Sequence, residues 1–410
     1  MDPVLMVALG WLLISAGSAS AENWPRFRGQ NGLGVGNEQG IPGTWSPGDY
    51  AFNVELPGVG HSSPAIWDDR LFVSSAIEEG TIRYLLCLNA ATGKEVWSRE
   101  TGFNKSTKHL KSSWASASPT TDGERVYVAF ADKERYMLAA YDMDGELVWR
   151  RSIGPFQSRH GQGASPIVYG DLVIAVNDQI GPSTVVALDR YTGKTVWSTL
   201  RQSQQTSYAS PLIATHEGEA PQLICSCGAM GVTSLNPLTG RMNWMTGQFP
   251  ARTVGSPTFT EGLIIQTCGG GGIGKHMVAV DPFHAKGEPG GRIRYVRERT
   301  LPYVPTPIGY QGHLYLWNDN GVVSCVRTRD GKNIWTKRVG GTYSSSPICV
   351  DGKLFIIGED GEVVVVAASP EYKLFGRVPL DDPSHSTPAV ANGRLYLRTF
   401  HRLACLEANR

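Results

Sequence analysis

The sequence has almost no excess charge: 38 Lys+Arg face 37 Asp+Glu among 410 residues, and only 18% of the chain is charged. That balance excludes a surface-wide footprint for nucleic acid, and it removes the self-repulsion that keeps disordered chains open. Cysteine is scarce, seven residues with no adjacent pair and no C-x-x-C. G-x-S-x-G and H-E-x-x-H are absent as well, so neither a zinc site nor a hydrolase has a local signature. No stretch reads as a bilayer-spanning helix. The apolar run from Val4 to Ile14 is too short, and it leads into Ala19-Ser20-Ala21, a small-x-small cleavage pattern. Residues 1–21 therefore read as a signal peptide, and the protein as exported, periplasmic or secreted.

Glycine, with 48 residues, and tryptophan, with 11, are plentiful, and this favours short strands and tight turns over helices. A Ser-Pro or Thr-Pro dipeptide recurs with its proline at 64, 119, 166, 211, 257, 307, 347 and 388. A second mark follows in most units: an apolar run ending in Asp or Asn, a Gly turn, then Trp. It reads Leu88-Asn89, Thr92-Gly93-Lys94 and Trp97 in the first unit, and Leu188-Asp189, Thr192-Gly193-Lys194 and Trp197 in the third. Units five and seven have degenerate endings.

Each unit parses into four runs rich in β-branched and aromatic residues, bounded by Gly, Pro, Asp and Asn, and none is long enough for a stable helix. In the third, the runs are Ser165 to Val168, Leu172 to Val176, Val185 to Leu188 and Thr195 to Trp197. Eight such units predict an all-β fold, an eight-bladed β-propeller of four-stranded antiparallel blades. The last unit ends at Arg410 one strand short, and Ala51 to Leu56 ahead of the first unit can supply it. The domain reading is a signal peptide over 1–21, an N-terminal arm over 22–43 and the propeller over 44–410, with 44–56 as the closing strand of the last blade.

The repeat changes how other motifs read. Cys87, Cys325 and Cys405 fall at one repeat position, where other units place Ala140, Ala187 and Ala279. A residue that alternates with Ala behaves as a small buried hydrophobe rather than as half of a disulfide. Cys225 and Cys227 would share one strand face. The run Gly269 to Lys275 imitates a phosphate-binding loop, but His276 stands where Ser or Thr is needed and a strand follows where a helix is required, so it reads as an inter-strand loop. Asp142-Met143-Asp144-Gly145 and Asn318-Asp319-Asn320-Gly321 imitate calcium loops but fall where the repeat needs turns. No metal site is expected. The repeated Trp reads as the side chain that stacks adjacent blades.

Ser-Pro strands followed by Asp or Asn, Thr-Gly-Lys and Trp resemble the pyrroloquinoline-quinone (PQQ)-type propeller repeat. The segment Trp24-Pro25-Arg26-Phe27-Arg28-Gly29, with Ile41-Pro42, Trp45 and His61-Ser62-Ser63-Pro64, is similar to the N-terminal signature of exported bacterial PQQ-like repeat proteins. That superfamily includes quinoprotein alcohol dehydrogenases and a non-enzymatic scaffold of outer-membrane assembly. The enzyme branch, as the resemblance implies it, uses PQQ against an adjacent Cys-Cys disulfide, a calcium ion and a catalytic Asp. This sequence has no adjacent Cys pair, and no calcium ligand or catalytic Asp maps onto it.

The links that lead into each Ser/Thr-Pro should ring the channel at one face. They carry His61, Trp114, His160, Tyr208, Arg252, Tyr303, Tyr343 and His385. The first link, Thr101 to Ser113, is the longest and brings Lys105, Lys108, His109 and Lys111 with no acid. A basic mouth favours an anionic small ligand or an acidic protein partner. The expected function is an exported non-catalytic scaffold that binds a protein or ligand through its channel face without cofactor, with peripheral association with an envelope membrane complex. The alternative is a PQQ-dependent dehydrogenase of alcohols or sugars with an atypical site, for which PQQ and calcium would be the cofactors. Carbohydrate binding is a third class.

Overall fold

The structure is a computed structural model that describes residues 22–203, 205–283 and 291–409. The segment read as a signal peptide lies outside them. Eight sheets with four antiparallel strands each follow one another along the chain, and seven of the blades run in sequence order from their first strand to their fourth. Blade 3 is typical, with strands Ile167–Tyr169, Leu172–Asn177, Ser183–Asp189 and Thr195–Arg201. Its opening strand begins after Pro166, which has no N–H to give to a ladder. The first strands are short and buried or half-buried, and those of neighbouring blades pack against each other around the axis. The fourth strands lie at the rim and are mostly exposed, with the Trp position buried.

The ring closes as the sequence predicts. Tyr50–Glu55 pairs antiparallel with Arg402–Glu407, so one blade is built from both ends of the described chain. Phe52 lies opposite Cys405 in that pairing. The same register recurs around the molecule: Trp97 opposes Cys87, Trp149 opposes Ala140, Trp197 opposes Ala187, Tyr295 opposes Ala279 and Trp335 opposes Cys325. A small residue is needed there because a ring lies directly across the ladder. All seven cysteines are buried and free.

Each rim aromatic also reaches the next blade. The indole Nε1–H of Trp97 donates to Met143 O at 2.9 Å, that of Trp149 to Arg190 O at 2.9 Å and that of Trp197 to Pro237 O at 3.1 Å. The Gly of the receiving turn lies flat on the indole. A Cβ on Gly193, where φ is +67°, would stand 2.6 Å from Trp149. This explains why Thr-Gly-Lys and Trp travel together: the Gly of one blade is the seat for the Trp of the blade before it. Blade 5 substitutes Tyr295, whose hydroxyl donates to Thr328 O, and the closing strand substitutes Phe52 against Gly93.

The two calcium-like motifs are turns. Gly145 N–H donates to Asp142 O, and Gly321 N–H to Asn318 O. The glycine run is the hairpin between Leu263–Gly270 and Ile273–Asp281, turned by Gly271 and Gly272 at φ +64° and +76°. No helix among the described residues is long and apolar enough to cross a membrane.

Candidate functional site on the propeller axis

The Ser or Thr of every Ser/Thr-Pro mark belongs to one continuous girdle. The Ser63 N–H donates to Ser118 Oγ, Ser118 to Ser165, Ser165 to Ser210, Ser210 to Ser256, Ser256 to Thr306, Thr306 to Ser346, Ser346 to Thr387, and Thr387 back to Ser63. All eight bonds are between 2.8 and 3.2 Å. Each hydroxyl oxygen therefore accepts from the blade before it, and its own O–H has no acceptor among the described residues. The eight hydroxyls are buried, and they line a cavity of about 520 Å³ on the axis.

The N-terminal arm closes one end of this cavity. Trp24 bridges to Ile66 in blade 1, Thr121 N–H of blade 2 donates to Pro25 O, and Val35–Gly36 runs parallel to Ile348–Val350 as a fifth strand of blade 7. Arg26 Nη2 donates to Pro211 O at 2.7 Å and Arg28 Nη2 to Pro307 O at 3.1 Å, both carbonyls of the repeated prolines. Burial pulls each guanidinium down to about 9, and Arg26 adds to the effect on Arg28. Phe27, between them, faces the cavity. The sequence signature at Trp24 to Gly29 is thus an axial plug whose donors use carbonyls left free by the proline marks.

At the other end the long link acts as a strap. The His109 N–H donates to His160 O, and Lys111 O lies 3.2 Å from the His385 ring nitrogen Nδ1. Lys111 Nζ lies 2.7 Å from Glu359 Oε1, which also accepts from Ser344 Oγ at 2.6 Å. Lys105 pairs with Glu79. The basic mouth expected from the sequence is therefore partly neutralised, because acids distant in sequence meet these lysines across the face.

His61, His109, His160, Tyr208, Arg252, Tyr303 and His385 all line the cavity. His61 packs on His385 and Phe400, at ring separations of 4.6 and 4.8 Å. Desolvation holds His61 well below the ordinary imidazole range, helped by His385 and the cations Arg398 and Lys108. His160 and His385 are lowered too, again first by desolvation. Arg252 Nη1 stands 3.0 Å from His160 Nδ1 and has no carboxylate partner among the described residues.

Three expected residues do not line the cavity. Tyr343 is buried between blades 6 and 7 with its ring on Trp317 at 5.4 Å, because the link turns inward one residue later, at Ser344. Trp114 braces the strap instead: it packs on Gly80, donates to Ser106 O at 2.8 Å and receives Lys108 Nζ 4.8 Å above its ring. Lys108 is thereby held by the strap itself. Sequence reasoning missed the hydroxyl girdle, Phe27 and Asp319. The girdle was in view, since its hydroxyls are the repeat marks. Asp319 sits in a turn, accepts from the Tyr303 N–H at 2.8 Å and the Val304 N–H at 3.2 Å, and is pushed up to about 6 by burial.

A PQQ–calcium centre does not fit this lining. Its one carboxylate is Asp319, already spent on two backbone donors, and the groups around it are imidazoles, hydroxyls, Arg252 and Lys111. Among the described residues no three His, Cys, Asp or Glu side chains are grouped to hold a metal.

A family model described as outer membrane protein assembly factor BamB matches residues 44–207, 79–281, 296–371 and 320–410. The outer membrane protein assembly factor BamB of Yersinia pestis is 21% identical over 344 residues, covering 82% of this chain and 70% of that one. Among solved structures, BamB of Moraxella catarrhalis is similar at a TM-score of 0.64 and 16% identity, covering 88% of this chain and 98% of that one. Quinohemoprotein alcohol dehydrogenase of Comamonas testosteroni is similar at a TM-score of 0.69 and 12% identity, covering 94% and 80%. At these identities the structural likenesses speak for the fold alone.

Proposed function

The chain belongs to the family of the outer membrane protein assembly factor BamB, and on that premise we propose that it is an exported, non-catalytic scaffold of the bacterial cell envelope. Its working surface is the strap-bearing channel face, where it docks onto an envelope membrane complex. The observation that carries the non-catalytic reading is the chemistry of the axial cavity. A lining of imidazoles, hydroxyls and an unpaired guanidinium offers too few carboxylate oxygens for a calcium ion, and its single acid is held by the backbone. The protein therefore works without PQQ or calcium.

Two experiments test this. A photo-crosslinker at Leu110, which is 93% exposed on the strap, should join the protein to a component of the outer-membrane protein assembly machinery in intact cells. The same probe at the rim residue Leu200 should not. Equal labelling from both sites would remove the channel face as the docking surface. Separately, purified protein mixed with PQQ and calcium should show no shift in visible absorbance and no dye-linked oxidation of alcohols or sugars. Turnover above buffer would replace the scaffold reading with the dehydrogenase one.

A further inference from the structure

We propose that the axial cavity is a binding site for a small hydroxylated oxyanion, of the sugar-acid or sugar-phosphate class, enclosed between the Phe27 plug and the strap. This goes beyond the docking reading, since the site lies inside the ring and the partner would meet its outer face.

The first argument is the donor count. The eight girdle hydroxyls each use their oxygen as an acceptor and keep an O–H without a partner, and all are buried and line the same space. Eight hydroxyls on one wall offer matching partners to an occupant rich in oxygen. Serine and threonine hydroxyls exchange readily with the hydroxyls of a ligand.

The second argument is sign. Arg252 points a guanidinium at His160 without a carboxylate among the described residues to answer it, and His61 and His385 line the same cavity. Asp319, the acid on this wall, is committed to the Tyr303 and Val304 backbone. Arginine matches the planar fork of a carboxylate or the oxygens of a phosphate. The charged end of the ligand therefore belongs at Arg252 and His160.

The third argument distinguishes a hydroxylated anion from a bare one. The girdle runs around the whole axis from Ser63 to Thr387, whereas Arg252 and His160 meet at one side of it, so a bare ion held at Arg252 reaches only part of the hydroxyl wall. A ligand that joins an anionic group to several hydroxyls meets Arg252 and the girdle together. The cavity, at about 520 Å³, is in the range of small-molecule sites and far exceeds one phosphate. Lys111, anchored to Glu359 and His385, stands at the mouth by which a ligand enters.

Calorimetric titration of the purified protein with gluconate, glucose 6-phosphate, glucose and inorganic phosphate tests the proposal. At least one of the two hydroxylated anions should bind tenfold or more tightly than both glucose and phosphate. R252Q should weaken that binding tenfold or more with an unchanged thermal midpoint. K111M, at the mouth and outside the girdle, should raise the dissociation rate of the bound anion severalfold. Inorganic phosphate binding as tightly as the hydroxylated anions would overturn the hydroxyl requirement, and no binding by either hydroxylated anion would overturn the site. Should R252Q fail to fold, H160Q gives the second reading: weaker binding of the hydroxylated anion is expected, and unchanged binding would overturn the placement of its charged end. None of these outcomes alters the crosslinking result on which the docking reading rests.

Discussion

The backbone N–H of Thr387 donates to Ser63 Oγ at 3.2 Å, and this bond joins the last blade to the first. It is the eighth member of the girdle and spans the whole repeat array in sequence. Removing one hydroxyl leaves a buried N–H of the preceding blade without its acceptor, at a cost of about 1–3 kcal/mol. S210A, which strands the Ser165 N–H, should lower the unfolding free energy by that amount, read as a lower urea midpoint with an unchanged slope of the transition. S210T should stay within about 0.5 kcal/mol, because threonine already serves at 306 and 387. An unshifted midpoint in S210A would show that the girdle contributes nothing to stability.

A second prediction follows from the seat beneath Trp149. G193A places a methyl 2.6 Å from the indole and forces a non-glycine residue to φ +67°. The left-handed backbone alone costs about 1–2 kcal/mol, and overpacking adds about 1–3 kcal/mol. G262A has a similar φ of +74° but nothing within 4 Å, so it should show only the backbone part. Thermal unfolding of the two variants separates the terms, and equal losses would mean that the indole yields freely.

Closure supplies a third. Phe52 occupies in the closing strand the position that Trp97, Trp149 and Trp197 hold in theirs, opposite a small residue and against a turn glycine. F52A should cost about 3–5 kcal/mol, as for other buried aromatics. F52W should be tolerated far better, since the neighbouring blades already accommodate an indole in this setting. If F52A leaves the thermal midpoint unchanged, the ring does not depend on its N-terminal strand.

The fold was legible because its determinants are local and repeated eightfold. A proline that cannot donate, a glycine at positive φ and an aromatic at fixed spacing each mark one place in every blade. Even the degenerate fifth ending obeys the rule once Tyr295 is seen across from Ala279. The site was legible only in part, because its contacts join residues far apart in the chain. Lys111 looked like part of an unopposed basic loop until Glu359 arrived beside it. Tyr343 shared the spacing of its channel-facing counterparts but turned into the core against Trp317. The plug could be noticed as a motif, yet nothing local to Arg26 says that its acceptor is Pro211 O, a carbonyl of blade 4.

The histidines of the cavity give the protein a defined acid sensitivity. His61, His160 and His385 all have their pKa lowered in the folded state, each first by desolvation. His385 faces Glu359, which opposes the shift, and Lys111 and Lys108, which add to it. A histidine in the unfolded chain protonates near pH 6.5, whereas these remain neutral in the fold to lower pH. Their contribution to stability is complete above about pH 6.5 and is lost as pH falls through that value, at up to about 1.4 kcal/mol per pH unit for each group. Asp319 acts in the opposite sense: pushed up to about 6, it keeps its proton longer in the fold, so its contribution is complete below about pH 4 and declines between about pH 4 and 6. The urea midpoint of the wild-type protein should therefore drop below pH 6.5. H385Q should flatten that drop, and D319N should steepen it by removing the compensating carboxyl. A wild-type midpoint constant from pH 8 to 5.5 would mean that the imidazoles titrate as freely as in water.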